Sequence, residues 1–399
     1  MDLETYCDRL AKLAVEFGAN VQRDQIVAVT YSPGMEPIAR AMSRVAYGRG
    51  ARFVDPFVFD GEIKRIRLET AREETLDFVP EWWRRRTLAL GETKSARIAI
   101  QPTPEPGVLA GVDPERAGKD DLPFMKEAVT LIKDRSTNWT IVPYPTNAWA
   151  QKVHPDLAPD QALQKLTDQL AYILRLDDHD PPAAWRARGD ELVGVAGRLT
   201  GRRFDALRFR GPGTDLTVGL FAGSRWTAAR LKTAWGLEHY ANLPSEETFT
   251  TPDPARTDGT VTATKPLDVA GTVIEGLKVR FEGGRVVEID ADTGADVLRG
   301  RVAKDEGAAR LGEVALVDKA GRIAESGSVF FNTLLDENAA SHIALGNAYR
   351  DAVDQSEWER INDSEIHIDF MIGSPEVDVV GLDADGNETP VLVGGDWKI

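Results

Sequence analysis

The stretch QIVAVTYSPGMEPIARAMSRVAYGRGARFVDPFVF (25–59) decides the fold of the first part of the chain. It begins with a short run rich in β-branched residues, passes into a helical segment that ends in glycines, and returns to a strand-like run. Two further strand-like runs, RIAI (97–100) and NWTIVPYP (138–145), continue the series with helical segments between them. Strands that alternate with helices in this way predict βαβ units and a parallel sheet.

A parallel sheet of this kind often binds a nucleotide, but the loops of this sequence lack the required glycines. SPGMEP (32–37), the loop after the first strand, contains a single glycine, and neither G-x-G-x-x-G after a strand nor G-x-x-x-x-G-K-[ST] occurs. Gly48 and Gly50 end a helix instead of beginning one, which is typical of a C-terminal cap. The sequence therefore predicts a Rossmann-like α/β domain with flanking helices and without a nucleotide motif.

The composition of the sequence changes near residue 204. Residues 146–203 are polar and helical, whereas the following part consists of short β-rich runs separated by Gly, Asp and Asn, as in GTVIEGLKVRFEGGRVVEIDAD (271–292). We therefore predict an N-terminal α/β domain with a helical extension over residues 1–203. An α+β, β-rich C-terminal domain is predicted over residues 204–399, with one helix near residues 337–351.

The charge balance excludes several classes of partner. The 399 residues include 48 Lys and Arg against 64 Asp and Glu, which gives a formal net charge of −16. Nucleic acids and anionic membrane surfaces both select for positive protein surface, so we expect neither as a partner. The single cysteine, Cys7, excludes an intrachain disulfide and a thiolate zinc site. Because the N-terminus is acidic and unlike a signal peptide, we expect a cytoplasmic protein.

SEIHIDFMIGS (364–374) carries the strongest local pattern. In a strand, alternate side chains face opposite sides, so His367 and Asp369 would lie side by side on one face. The other face would meet a core through Ile366, Ile368, Phe370 and Ile372. An imidazole beside a carboxylate suits a metal site, or a base with its orienting acid. The alternative is an ordinary polar face in contact with solvent.

LLDENAASHIALGNAYR (334–350) is interpreted as a helix. Asp336 is the predicted N-cap, and Glu337 in the first turn complements the helix dipole. Helical spacing places three residues on one stripe, namely His342, Gly346 and Tyr349. Such a stripe could face a ligand, or it could be a core stripe whose polar groups are satisfied internally.

Two further segments place carboxylates in uncharged surroundings. LGEVALVD (311–318) resembles a buried strand, in which Glu313 is costly unless it is paired or bound to a cation. An edge strand with Glu313 in water is the alternative. ANLPSEETFTTPD (241–253) holds Glu246 and Glu247, whose side chains point in opposite directions in an extended chain, so only one can face a given site. The alternative for this pair is the first turn of a helix.

The four segments together supply two histidines, at least three carboxylates and a tyrosine. Histidine and carboxylate ligands without thiolate suit divalent zinc, cobalt or manganese. Five ligands exceed the three protein ligands that a single catalytic zinc usually takes, but they fit two ions that share a bridging carboxylate and a bridging hydroxide. The sequence therefore predicts two divalent metal ions.

In order and spacing, these segments resemble the signature segments of the aminopeptidase T / aminopeptidase S family, which are bacterial dinuclear metallo-aminopeptidases. GTDLTVGL (213–220) is also similar to a segment of that family, and the resemblance covers mainly residues 205–375. It implies a metal-dependent aminopeptidase that acts on peptides with a free N-terminus and forms a homodimer. The metal ligands that it implies are Glu247, Glu313, His342, His367 and Asp369.

The resemblance also implies that Tyr349 is a catalytic residue, and the choice of Glu247 over Glu246 rests on it alone. In the expected mechanism Glu313 or Asp369 bridges the ions, and the shared hydroxide attacks the peptide carbonyl. Tyr349 would donate a hydrogen bond to the developing oxyanion. Glu246 is the expected general base, or the anchor for the α-ammonium group of the substrate.

Two other functions are compatible with the same residues. The first is a different two-metal hydrolase, such as a phosphoesterase or an amidohydrolase. Enzymes that act on phosphates usually add Arg or Lys, whereas the four segments contain only Arg350, at the end of one of them. The second is a non-catalytic protein that merely carries metal. Metal-dependent cleavage of unblocked peptides would separate these functions from an aminopeptidase.

Overall fold

The computed structural model describes residues 1–101, 107–109, 111–120, 122, 126–228, 230–269 and 272–399. Within this part the chain forms two compact units. The first comprises Met1–Trp185 with Arg230–Pro244, and the second comprises Arg186–Ala229 with Ser245–Ile399. The division into domains 1–203 and 204–399 stays a prediction. None of the helices in the described part combines the length and the hydrophobicity that crossing a bilayer requires.

The helices are α1 (Leu3–Lys12), α2 (Glu36–Gly48), α3 (Gly61–Thr70), α4 (Glu81–Glu92), α5 (Pro114–Lys119), α6 (Lys126–Lys133), α7 (Asn147–Val153), α8 (Pro159–Ile173), α9 (Pro181–Arg202), α10 (Ala295–Val302), α11 (Arg322–Ser326) and α12 (Thr333–Asp336). A π-helical turn follows α1 at Leu13–Gly18, and 3-10 turns lie at Glu73–Thr75, Gly307–Ala309, Glu337–Ala339, Arg350–Ala352 and Gln355–Glu357.

The strands are β1 (Ile26–Tyr31), β2 (Phe53–Val58), β3 (Ala96–Gln101), β4 (Asn138–Pro143), β5 (Ala206–Gly211), β6 (Thr214–Leu220), β7 (Thr227–Ala228), β8 (Arg230–Lys232), β9 (Glu238–Tyr240), β10 (Glu247–Thr250), β11 (Pro252–Thr262), β12 (Leu267–Val269), β13 (Thr272–Ile274), β14 (Lys278–Glu282), β15 (Arg285–Asp290), β16 (Leu311–Val317), β17 (His342–Gly346), β18 (His367–Met371), β19 (Asp378–Leu382), β20 (Glu388–Val393) and β21 (Asp396–Trp397).

The first unit contains the parallel sheet that the sequence predicts. Its strand order is β2-β1-β3-β4, and every neighbouring pair is parallel. β1 lies inside the sheet with Val27 and Val29 buried, as expected for an apolar strand of a covered parallel sheet. Gly50, just after α2, has a φ of +85°, a conformation typical of the glycine that caps a helix C-terminus. The α/β class of this unit is confirmed.

The second unit is built mainly from two antiparallel sheets, which confirms the predicted β-rich class. One has the strand order β15-β14-β11-β6-β5-β19-β20-β21, and the other has the order β18-β17-β16-β10-β7. The predicted strand around Glu313 is β16, and every one of its residues is buried. One face of the five-stranded sheet packs into the core of the unit through Val314, Leu316, Ile343, Leu345 and Phe370.

The prediction of a helix near residues 337–351 is wrong. The segment contains a 3-10 turn and then β17, which pairs with β16 on one side and with β18 on the other. Ile343 and Leu345 alternate toward the core, and Gly346 has a φ of +103°, which no residue of a right-handed helix adopts. Hydrogen bonds to two neighbouring strands therefore outweigh the helical spacing of His342, Gly346 and Tyr349.

Asp336 does not cap a helix over this segment either: it is the last residue of α12, and its side chain makes no capping hydrogen bond to the 3-10 turn that follows. Its two carboxylate oxygens accept hydrogen bonds from the backbone N–H groups of Phe330, at 2.8 Å, and Asn332, at 3.0 Å. Burial raises the pKa of Asp336 to about 6. This carboxyl group therefore closes the loop before α12 and has a structural role.

Candidate metal centre

Four adjacent strands, β18, β17, β16 and β10, carry the five candidate metal ligands. In the antiparallel register Glu313 of β16 lies opposite Ala344 of β17, and Ala344 lies opposite Asp369 of β18. Residues that face each other across an antiparallel pair project from the same side of the sheet. The carboxylates of Glu313 and Asp369 therefore flank the small side chain of Ala344 on one face.

The same register brings the other three ligands to this face. His342 lies two residues before Ala344 on β17, so it projects in the same direction. His367 lies two residues before Asp369 on β18 and opposite Gly346, which adds no side chain to the surface. Glu247 lies opposite Val317, which in turn shares a face of β16 with Glu313. All five ligands thus meet on the face that turns away from the core.

Both histidines present the same ring atom to the carboxylates. The Nε2 atom of His342 lies 3.2 Å from an oxygen of Glu247. The Nε2 atom of His367 lies 3.2 Å from Glu313 and 3.3 Å from Asp369.

The opposite ring atoms lie beside backbone carbonyls. Nδ1 of His342 is 3.2 Å from the carbonyl oxygen of Ala340, and Nδ1 of His367 is 2.8 Å from that of Asn347. A proton on Nδ1 that is donated to a carbonyl leaves Nε2 free to bind a cation.

Within the described residues, the ligands form two groups that share one member. Glu247, Glu313 and His342 form one group, and Glu313, His367 and Asp369 form the other, with ligand atoms within 4.8 Å of one another in each. Three carboxylates and two imidazoles without thiolate are the donor set expected for zinc, cobalt or manganese. The residues present therefore fit divalent metal ions, and Glu313 is the one that could contact both groups.

The electrostatics of the cluster show strong coupling between its members. Burial raises the pKa of Glu313, because water no longer stabilises its charge. Burial alone would lower the pKa of His342, but its hydrogen bond and charge interaction with Glu247 raise it to about 10. Burial also opposes the charge on Asp369, yet the His367 imidazolium holds the pKa of that carboxyl below its usual range. Without metal, the positive charges of the protonated imidazoles therefore balance part of the carboxylate charge.

Tyr349 lies beside this cluster although the helix that was expected to position it is absent from the segment. Its ring meets His367 edge-on, with centroids 5.2 Å apart, and Phe249 in the same way at 5.6 Å. The side chain is 39% exposed, and among the described residues its hydroxyl has no hydrogen-bonding partner. The charge of His367 lowers the pKa of Tyr349, but the loss of water around the hydroxyl and the nearby carboxylates together raise that pKa above its ordinary value. The hydroxyl therefore keeps its proton and is able to donate it in a hydrogen bond.

Glu246 lies apart from the cluster. Its carboxylate accepts a hydrogen bond from Nε of Arg188, and Nη2 of the same arginine donates to Asp318 at 2.7 Å. Glu246, Arg188 and Asp318 are all buried. Because Glu246 is bonded to Arg188 and belongs to neither ligand group, its position does not support the predicted role of general base or ammonium anchor.

A fourth carboxyl group, which the sequence analysis treats only as a partner of a helix dipole, faces the cluster instead. Glu337 begins the 3-10 turn before β17, and this turn packs against β18. Burial, together with the charges of Asp369 and Glu247, raises the pKa of Glu337 well above its ordinary value. Within the described residues Glu337 belongs to neither ligand group. A strand interpretation of β17 would have placed Glu337 in the turn before a ligand-bearing strand, but its position at the cluster follows from the contact of that turn with β18.

The fold and the cluster define a class of protein: a chain whose β-rich unit holds a candidate divalent metal centre made of histidine and carboxylate alone. Comparison with known proteins identifies the family. The family model described as thermophilic metalloprotease (M29) matches residues 3–397. The chain therefore belongs to the M29 family of metalloproteases, and it is a metal-dependent peptidase.

Relatives of similar length support this assignment. Aminopeptidase T of Thermus thermophilus is 41% identical over 98% of each chain, and aminopeptidase AmpS of Bacillus subtilis is 35% identical over 99% of this chain and 98% of its own. The structure of wild-type AmpT from Thermus thermophilus matches with a TM-score of 0.92 and 40% identity, and it covers 100% of both chains. The family predicted from the four sequence segments is confirmed.

Proposed function

We propose that this protein removes the N-terminal residue from peptides with the help of two divalent metal ions. The observation that carries the proposal is the meeting of five ligands on one sheet face, with Glu313 common to both groups. The names of the relatives, which are aminopeptidases, support this type of substrate. In this proposal the catalytic domain comprises residues 204–399, which include all five candidate metal ligands.

Each group of ligands would hold one ion. Glu247 and His342 would bind the first ion, His367 and Asp369 would bind the second, and Glu313 would bridge the two. Zinc, cobalt and manganese all suit these nitrogen and oxygen donors. When bound, two such cations polarise the scissile carbonyl and lower the pKa of a water molecule between them.

Two side chains of the protein would act on the reacting atoms. Tyr349 donates a hydrogen bond to the oxygen of the scissile carbonyl, which gains negative charge in the transition state. Glu337 accepts the proton that the attacking water loses and passes it to the leaving amine. A carboxyl group with a raised pKa suits this exchange, because its carboxylate is a stronger base toward the proton of water than an ordinary carboxylate is.

The acidic surroundings of the cluster also favour a substrate with a free N-terminus. The charges of Glu247, Glu313 and Asp369 all act on the carboxyl group of Glu337, so four acidic side chains lie in one region. A positively charged α-ammonium group is attracted to such a region, whereas a blocked N-terminus is not. This preference distinguishes an aminopeptidase from an endopeptidase that uses the same metals.

We also propose that the protein is a cytoplasmic homodimer. Large apolar side chains are exposed on the first unit, which is unusual for a monomer when they adjoin. Trp82 is 66% exposed and stacks on Trp83, which in turn meets Phe57 of the edge strand β2. A second copy of the chain could cover them. The single cysteine, Cys7, is buried and unpaired, which suits a reducing compartment.

Hydrolysis of aminoacyl p-nitroanilides tests the activity. The protein is treated with a chelator, dialysed, and assayed alone and with added zinc, cobalt or manganese, with the N-acetylated substrate as control. We expect activity that disappears with the chelator, returns with metal, and is absent on the blocked substrate. Cleavage that is insensitive to the chelator, or failure to cleave any unblocked substrate, would overturn the proposal.

Metal content, measured by atomic emission, tests the assignment of ligands independently of activity. We expect two ions per chain in the unsubstituted protein. Glu313→Gln should weaken both sites, because Glu313 belongs to both groups, whereas Asp369→Asn should weaken one. Equal loss in the two variants would contradict the bridging role of Glu313.

A further inference from the structure

Thr251 makes an unusual contact with the backbone of Tyr349. Its Oγ1 accepts a hydrogen bond from the Tyr349 N–H at 3.2 Å and donates one to the Tyr349 carbonyl oxygen at 2.8 Å. The side chain of Thr251 is fully buried. One hydroxyl thus satisfies both polar backbone groups of a single residue, in the place where a neighbouring strand would otherwise do so.

Such a contact matters because Tyr349 lies outside regular structure. β17 ends at Gly346, and a 3-10 turn begins at Arg350, so no ladder of backbone hydrogen bonds fixes the residue between them. Loop residues are more mobile than strand residues unless specific contacts hold them. Catalytic groups need positions that are accurate to a fraction of an ångström, since a shift of about 1 Å can cost about 100-fold in rate.

Thr251 directly follows β10, the strand that carries the candidate ligand Glu247. Glu247, Phe249 and Thr251 are spaced two residues apart, so they project from the same side of the extended chain. Glu247 faces His342, Phe249 packs edge-on against the ring of Tyr349, and Thr251 holds the backbone of the same tyrosine. β10 and the residue that follows it thus connect the ligand cluster to both the ring and the backbone of Tyr349.

Thr250, the last residue of β10, holds the 3-10 turn that follows Tyr349. Its hydroxyl donates to the carbonyl oxygens of Arg225, at 2.9 Å, and Ala352, at 3.1 Å. The N–H of Arg225 donates to the same carbonyl of Ala352 at 2.8 Å. The segment after Tyr349 is therefore anchored twice. At Tyr349 itself the hydroxyl of Thr251 contacts both backbone groups, and the carbonyl oxygen also accepts a hydrogen bond from the N–H of Ala352 at 3.2 Å.

We infer that Thr251 is a positioning residue, which fixes Tyr349 relative to Glu247 so that the tyrosine hydroxyl meets the scissile carbonyl. This inference rests on the proposed role of Tyr349. Thr251 touches neither substrate nor metal in this role, and it acts only through the tyrosine. Loss of its hydroxyl should therefore lower kcat without changing the metal content.

The test compares Thr251→Val, which keeps the shape but removes the hydroxyl, with Thr251→Ser, which keeps the hydroxyl. Thr248→Val is the matched control, because Thr248 is equally buried three residues earlier on β10 and its hydroxyl contacts the carbonyl oxygen of Leu192 at 3.5 Å. We expect T251V to lower kcat by about 10- to 100-fold, with unchanged KM and metal content. T251S and T248V should retain kcat close to that of the unsubstituted protein.

A double-substitution cycle separates positioning from general damage. Tyr349→Phe should lower kcat by about 100- to 1000-fold, the scale for one oxyanion donor, and T251V should then cause no further loss. Amide hydrogen exchange at Tyr349, measured on the metal-free protein, should be faster in T251V than in T251S. Unchanged kcat or unchanged exchange in T251V would overturn the inference, as would equal losses from T251V with and without the tyrosine hydroxyl. Unchanged kcat in Y349F would instead reject the role proposed for Tyr349.

Discussion

Glu246 and Glu247 are neighbours in the sequence, but their carboxylates serve opposite sides of the chain. Glu247 lies 3.2 Å from Nε2 of His342, at the candidate metal centre. Glu246 is hydrogen-bonded to Arg188 within the protein interior. Alternation along an extended chain directs one acid toward the candidate metal centre and the other toward a buried ion pair.

This division predicts opposite outcomes for two equivalent substitutions. Glu247→Gln removes an anionic ligand, so we expect loss of about one ion per chain and of most activity. Glu246→Gln keeps the hydrogen-bonding shape and should leave the metal content and kcat close to those of the unsubstituted protein, with a lower free energy of unfolding. Atomic emission, initial rates and urea denaturation measure these quantities. A large fall in kcat for E246Q at full metal content would restore Glu246 as general base.

The segments that carry the candidate ligands could be found from the sequence, partly because β16 and β18 have patterns that are typical of strands. Glu313 interrupts an apolar run, and His367 and Asp369 are two residues apart in a strand. The strand β17 could not be found in the same way, because His342, Gly346 and Tyr349 also fit helical spacing. What decides in favour of the strand is pairing with β16 and β18, which are distant in the sequence.

The ion pair of Arg188 leads to a prediction about stability. Arg188 donates hydrogen bonds to Glu246 and Asp318, and the three charged side chains are each less than 10% exposed. Arg188→Met would remove the cation that two buried carboxylates share, so we expect a loss of about 3–5 kcal/mol in the free energy of unfolding.

Arg208→Met provides the control, because Arg208 pairs with Asp215 at the surface. It should cost no more than about 1 kcal/mol. Urea denaturation of both variants, with metal bound and with metal removed, measures the difference. Equal stability of the two variants would contradict the structural role of Arg188.

Glu337 is the residue that sequence reasoning about chemistry did not find. In the predicted helix near residues 337–351, Glu337 in the first turn is explained by the helix dipole, so the sequence suggests no further role for its carboxyl group. In the structure the same residue lies in a turn against β18, with burial and the charges of Asp369 and Glu247 acting on it. Only the tertiary arrangement shows that it faces the cluster.

Glu337→Gln tests the role of proton acceptor. The amide keeps the shape but cannot take up a proton, so we expect kcat to fall by about 100- to 10,000-fold. Because Glu337 belongs to neither ligand group, two ions per chain should remain. Glu376→Gln, at an exposed position outside both ligand groups, is the control for a lost charge. Loss of metal in E337Q would show that Glu337 is a ligand instead.

The raised pKa of His342 contributes to the pH dependence of stability in the metal-free protein, in the same direction as the raised pKa of His367. Its ordinary value is 6.5, and in the folded protein the hydrogen bond and charge of Glu247 raise the pKa to about 10, although burial opposes this. Between these values the folded chain binds a proton that the unfolded chain has lost. The stabilisation from the raised pKa is therefore fully present below pH 6.5, and it is lost as the pH rises through about 10.

We accordingly expect the free energy of unfolding of the metal-free protein to fall with increasing pH across this window, with a limiting slope of about 1.4 kcal/mol per pH unit for one proton. Bound metal ions should remove this dependence, because Nε2 of His342 must be deprotonated to act as a ligand. Urea denaturation at several pH values, with chelator and with excess zinc, measures both curves. Glu247→Gln without metal is the control, and its slope should be smaller, since the partner that raises the pKa is gone. A metal-free stability that is constant or rises over this range would contradict the pairing of His342 with Glu247.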